Sequence, residues 1–188
     1  PSVCRVGIDY YIVTSSFEYF PGIPIFHSRD LVHWRQLGHV LDRDEQLDLR
    51  TTGSSGGVWA PTIRCHNGMY FVVYTLAGAG NFLVTAADPA GPWSNPVEIG
   101  TPPVDSSNDT ETQTGIDPSL FFDDDGTCYL TTGWNAQSVI NPVTGRRLSE
   151  IQIVWEGGSG GGYLEAPHLY RIGRWYYLLV AEGGTGRG

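Results

Sequence analysis

The sequence predicts an all-β chain built from propeller blades. Three observations carry that expectation: a composition suited to short strands and tight turns, prolines that recur every 49 to 60 residues in a common context, and a turn signal inside each repeat. The 188 residues include 25 Gly, 6 Trp, 10 Tyr and 7 Phe, while charged residues make up only 16%. Aromatic side chains fit half-buried pleated surfaces, and glycine fits the turns between them. A hydrophobic content of 40% is enough to bury a core.

The repeat opens four times, at Pro1-Ser2-Val3, Ala60-Pro61-Thr62-Ile63, Asp117-Pro118-Ser119-Leu120 and Ala166-Pro167-His168-Leu169. An aromatic strand follows each opening: Tyr10-Tyr11-Ile12-Val13, Met69-Tyr70-Phe71-Val72-Val73, Cys128-Tyr129-Leu130 and Trp175-Tyr176-Tyr177-Leu178-Leu179. Between opening and strand lies Gly7-Ile8-Asp9, Asn67-Gly68, Asp125-Gly126 or Gly173-Arg174. Asn-Gly and Asp-Gly supply the positive-φ residues of type I′ turns, so each unit reads as strand, tight hairpin, strand. Further strands follow, as in Pro24-Ile25-Phe26-His27-Ser28 and Phe82-Leu83-Val84-Thr85-Ala86-Ala87. Four strands per repeat make a propeller blade, and the chain holds three blades and the start of a fourth. A β-sandwich with irregular loops is the alternative, but it leaves the recurring spacing unexplained.

The net charge is −9 and no Lys/Arg block is present. A polyanion would meet repulsion rather than counterion release, which argues against nucleic acid as a partner. No apolar run approaches the roughly 20 residues that span a bilayer, so no membrane partner is expected. The start PSVCRVG has neither the charged nor the apolar region of a signal peptide. With no initiator Met and a glycine-rich end, both termini read as cut from something longer. Cys4, Cys65 and Cys128 have neither disulfide-framework nor zinc spacing, so free buried thiols and a reducing compartment are the expectation, with the location itself left open.

The first strand of each blade lines the central channel of a propeller, so the openings converge on one mouth. Asp117 and Glu165 stand at two of those openings. Paired carboxylates in a cleft suit acid/base cleavage of a glycosidic bond, provided that one holds its proton. A neighbouring anion raises a carboxyl pKa, which would make Glu165 the proton donor and Asp117 the standing carboxylate. Taken alone, Asp117 also fits a turn and Glu165 a solvated strand end.

The stretches around these residues resemble glycoside hydrolase family 43, the five-bladed β-propeller β-xylosidases and α-L-arabinofuranosidases. The carriers are Ser15-Ser16-Phe17-Glu18-Tyr19-Phe20-Pro21-Gly22-Ile23-Pro24, His27-Ser28-Arg29-Asp30-Leu31-Val32-His33-Trp34, Gly57-Val58-Trp59-Ala60-Pro61, Gly115-Ile116-Asp117-Pro118-Ser119 and Glu165-Ala166-Pro167-His168, together with Pro1-Ser2-Val3-Cys4 and Ala181-Glu182-Gly183-Gly184. The first two look specific to the xylosidase branch. The resemblance implies that Glu165 is the general acid and Asp117 the carboxylate that tunes it and orients substrate. The family's general base, an Asp just before the first Pro-Ser, would precede Pro1. The resemblance also implies inversion at the anomeric carbon, with carboxylates roughly 6.5–9.5 Å apart. Trp59, Ala60 and Phe17 match residues that border the bound sugar, where an apolar indole can cover a sugar's C–H face. No cofactor and no metal are implied.

Other signals carry less. Asp123-Asp124-Asp125-Gly126 has Thr132 where a calcium loop closes with Glu, so a hairpin is expected. The run Gly157-Gly158-Ser159-Gly160-Gly161-Gly162 lacks the Lys-Ser/Thr of a phosphate loop and reads as a flexible connection. His168 has no second ligand at metal spacing and is expected to be structural, while Trp34 and Trp93 read as blade packing. The expected function is exo-hydrolysis of β-1,4-linked xylo-oligosaccharides, with α-L-arabinofuranosidase activity possible in the same pocket. Two alternatives stand beside it. One is a non-catalytic carbohydrate-binding propeller; the other is an enzyme that forms a homo-oligomer or whose remaining blades come from a second polypeptide.

Overall fold

The structure is a computed structural model that describes residues 1–100, 115–158 and 163–183. β1 (Ser2–Val6), β2 (Asp9–Val13), β3 (Gly22–Ser28) and β4 (Arg35–Leu41) form one antiparallel sheet in chain order. β5 (Val58–His66), β6 (Met69–Leu76), β7 (Gly80–Ala86) and β8 (Val97–Ile99) form the second. β9 (Ser119–Phe122), β10 (Cys128–Thr132), β11 (Ala136–Ile140) and β12 (Gln152–Ile153) form the third, and β13 (Leu164–Ile172) with β14 (Trp175–Glu182) a two-stranded fourth. The opening strands β1, β5, β9 and β13 lie side by side, so each sheet runs outward from a shared centre. This is a β-propeller, as the repeat predicts.

Strand periodicity explains how the blades stick together. Side chains of β6 alternate faces: Tyr70, Val72 and Tyr74 join a core with Val13, Ile25, Val40 and Ile63 of the flanking strands, while Phe71 and Val73 join a second core with Leu120, Leu130 and Ile140. The middle blade is thus apolar on both faces, which is why its strand reads as an unbroken hydrophobic run. Each fully buried Val, Leu or Ile contributes roughly 1.5–3 kcal/mol. Trp93 is buried in the first core, as expected of a packing residue. Trp34 closes the turn after β3, where its Nε1 donates to the Leu31 carbonyl at 3.1 Å.

The inner hairpins differ in their turns. Asn67 and Gly68 both have positive φ (51° and 76°), as type I′ requires. Gly7 and Gly173 are positive at the first turn position (both 62°) and their successors are not, the pattern of type II′. The Asp125-Gly126 expectation of a two-residue turn is corrected: Phe122 pairs with Cys128, leaving a five-residue loop. In it Asp123 N–H donates to the Thr127 carbonyl at 2.9 Å and Thr127 N–H to Asp125 Oδ1 at 2.8 Å. Asp123 also accepts from Tyr176 Oη at 2.7 Å and from Arg171 at 3.2 Å, so this acidic loop fastens β13–β14 to the third blade. Of the glycine run before β13, residues 159–162 lie outside the described residues, as do residues 184–188 of the glycine-rich end.

Candidate active site

Proline shapes the blade openings. It has no N–H for the ladder, and the register of β5 jumps between Trp59 and Thr62 while that of β13 jumps between Glu165 and His168. Ala60-Pro61 and Ala166-Pro167 are therefore bulged out of their strands. The residue before each proline has a left-handed backbone: φ is 42° at Ala60, 55° at Asp117 and 48° at Ala166. Such conformations cost about 1–3 kcal/mol each in residues with a Cβ and concentrate at functional sites. Asp117 thus occupies the same blade position as Ala60 and Ala166. Glu165 corresponds to Trp59, one place earlier.

That one-residue stagger has a direct consequence. The backbone N–H of Ala166, the residue after Glu165, donates to Asp117 Oδ2 at 3.0 Å. The two acids singled out in the sequence are brought together by this bond. Burial raises the pKa of Glu165 above the usual carboxylate range, and the charge of Asp117 raises it further. Burial also raises Asp117, against the lowering effect of the Ala166 N–H. The charge of Asp117 beside it favours the protonated form of Glu165.

Phe17, Trp59 and Ala60 form a neighbouring group, held by main-chain bonds. Phe17 and Val58 exchange N–H···O bonds of 3.0 Å each, and Ser15 Oγ accepts from Ala60 N–H at 2.9 Å. The loop between β2 and β3 is thereby stitched to the opening of β5. Trp59 Nε1 donates to the Ser55 carbonyl at 2.9 Å, which orients the indole, and Phe17 is 43% exposed. Only glycine fits at Gly57: its φ is +81°, and a Cβ there would meet the Phe17 carbonyl oxygen at 2.1 Å.

Sequence reasoning missed the residue at the hub. Arg64 on β5 is half-buried, and its guanidinium reaches Ser2 Oγ on β1 (3.4 Å), Ser119 Oγ on β9 (3.3 Å) and His168 Nδ1 on β13 (3.0 Å). It therefore ties together the innermost strands of all four sheets. A guanidinium only donates, so His168 Nδ1 accepts and the ring proton sits on Nε2. Burial, then the Arg64 charge, pushes the His168 pKa down to about 4. His168 thus serves as a hydrogen-bond acceptor for Arg64. Among the described residues no three His, Cys, Asp or Glu side chains converge as a metal site would require.

Radially ordered antiparallel sheets whose opening strands lie side by side define the chain as a β-propeller. The family model "Glycosyl hydrolases family 43" matches residues 1–188, and the chain belongs to that family. It is 45% identical, over 99% of its length, to a non-reducing end alpha-L-arabinofuranosidase, BoGH43B, of Bacteroides ovatus, and 39% identical over 98% of its length to a beta-xylosidase of Bacillus subtilis. It covers 34% and 36% of those two proteins. The solved Bacteroides ovatus xyloglucan GH43B superposes with a TM-score of 0.86 at 44% identity, over 99% of this chain and 36% of that one. A xylan beta-1,4-xylosidase from Bacillus halodurans superposes at 0.84 with 38% identity, over 98% of this chain and 37% of that one. The chain spans about a third of the length of the curated relatives it matches.

Proposed function

We propose that this chain carries the proton-donating half of an inverting glycosidase site that releases terminal β-1,4-xylosyl residues, and α-L-arabinofuranosyl residues in the same pocket. The observation that carries the reading is the 3.0 Å bond from Ala166 N–H to Asp117 Oδ2. It fixes one carboxylate against the residue next to the other, and the resulting like charge helps keep Glu165 protonated. Glu165 protonates the leaving oxygen; Asp117 holds the proton there and orients the sugar. Trp59, Ala60 and Phe17 line the sugar's apolar side. The water-activating base is the Asp expected at the position ahead of Pro1; Ser2, next to Pro1, shares the Arg64 guanidinium with Ser119 and His168, which supports its opening onto the same mouth. Names of relatives such as "Xylosidase/arabinosidase" in Butyrivibrio fibrisolvens support the choice of sugars.

The test is Glu165→Gln in the intact polypeptide, assayed on xylobiose and on an aryl xyloside with a low-pKa leaving group. Loss of the acid should cost roughly 10²–10⁴-fold on xylobiose and far less on the aryl substrate, which leaves with little help from a proton. Equal losses on both substrates would remove Glu165 from the role of donor.

A further inference from the structure

Asn81 is the second residue of β7 in the second blade, paired across the ladder with Thr75 of β6, and both side chains are fully buried. A buried amide within an apolar sheet is costly unless its hydrogen bonds are made. Here they are made, one of them toward the third blade. Asn81 Nδ2 donates to the carbonyl of Gly115, and Asn81 Oδ1 accepts from Thr75 Oγ1 at 2.7 Å. The orientation follows from donor and acceptor chemistry. A main-chain carbonyl only accepts, so the NH2 group faces Gly115, and Oδ1 is left to Thr75, whose hydroxyl must then donate.

Gly115 stands two residues before Asp117. The next carbonyl, that of Ile116, accepts from Gly133 N–H at 2.8 Å. The segment entering Asp117 is therefore clamped at two successive carbonyls, one by its own blade and one by the neighbouring blade. Asp117 needs such a clamp, because its φ of 55° persists only where the surroundings over-determine it.

We propose that Asn81, oriented by Thr75, is a positioning residue that sets the Asp117 carboxylate against the Ala166 N–H and hence beside Glu165. The proposal rests on the reading of Asp117 and Glu165 as the catalytic pair. Without the amide, the Gly115 carbonyl is released and Asp117 backs away from Ala166. Substrate orientation and the charge that helps hold the Glu165 proton are then lost together.

The experiment measures kcat, KM and the pH dependence of kcat/KM on xylobiose for the intact polypeptide carrying Asn81→Ala, Thr75→Val, Thr75→Ser, Asp117→Ala, and Asn81→Ala with Asp117→Ala. Misplacement of a catalytic group by about 1 Å costs roughly 10²-fold, and Asn81→Ala should approach that loss, mainly in kcat. Thr75→Val should lose less and Thr75→Ser should restore nearly full activity. The basic limb of the pH profile should move to lower pH in Asn81→Ala and Thr75→Val, an effect that general destabilisation does not produce. Adding Asn81→Ala to Asp117→Ala should cost nothing further. Multiplying losses in the double variant, or an unmoved basic limb in Thr75→Val, would overturn the proposal; if Asn81→Ala does not fold, the Thr75 pair decides. Should Asp117→Ala alone leave kcat/KM intact, the catalytic reading falls, and the proposal with it. Asp117→Ala inactive beside a normal Asn81→Ala sinks only the positioning role.

Discussion

Gly57→Ala should detach the aromatic rim from the second blade. The added Cβ would sit 2.1 Å from the Phe17 carbonyl oxygen, 2.6 Å from its carbon and 3.1 Å from the Glu18 nitrogen. All three are backbone atoms, so no side-chain rotation relieves the clash. Alanine at a φ of +81° costs about 1–2 kcal/mol by itself. Pushing Phe17 away breaks both Phe17–Val58 bonds, at about 0.5–1.5 kcal/mol each. The expected loss is therefore about 2–5 kcal/mol, read from urea unfolding of the intact polypeptide. Steady-state kinetics on xylobiose should show KM raised more than kcat is lowered, since the rim is proposed to hold sugar and carries no proton-transfer group. Gly53→Ala is the control: a Cβ there meets nothing within 4 Å, and it should be neutral. Stability within 0.5 kcal/mol of wild type for Gly57→Ala, with KM unchanged, would refute the reasoning.

Two further outcomes follow from the charges. Burial and Asp117 raise the folded-state pKa of Glu165, so its ionisation opposes folding as pH rises through that value; Glu165→Gln should therefore melt higher than wild type near neutral pH, and the gain should vanish in acid where the carboxyl is protonated in both states. His168 has the opposite sign: its folded pKa is about 4 against an ordinary 6.5, so its contribution to stability is present above 6.5 and is lost as pH falls from there toward 4. His168→Gln, which keeps an acceptor for Arg64, should flatten the fall in urea midpoint over that window.

The parts of this molecule written in local chemistry could be read in advance. Pro61, Pro118 and Pro167 mark the strand openings because a residue without an N–H interrupts a ladder, and the structure puts left-handed residues directly before them. Asp117 and Glu165 were legible for the same reason: both abut an opening. The Asp125-Gly126 turn was misread because its loop length is set by where Phe122 and Cys128 pair, not by the dipeptide. Arg64 and Asn81 could not be found from spacing. Their partners lie on other blades, and nothing local says that a polar residue in an apolar strand will be satisfied by a carbonyl or a serine more than thirty residues away. A polar residue such as Asn81 inside the run from Gly80 to Ala86 was the one available hint.

The central claim is that the Asp117 charge raises the Glu165 pKa, and Asp117→Asn isolates it. Asparagine keeps an oxygen that can accept from Ala166 N–H, so the 3.0 Å anchor survives and the charge alone is removed. The measurement is the pH dependence of kcat/KM for wild type and Asp117→Asn on xylobiose, whose poor leaving group needs the acid, so activity falls on the basic side as the acid loses its proton. The account predicts that the basic limb moves to lower pH in Asp117→Asn, because one of the two causes holding the Glu165 pKa up has gone. A basic limb that stays in place, or moves to higher pH, would contradict it.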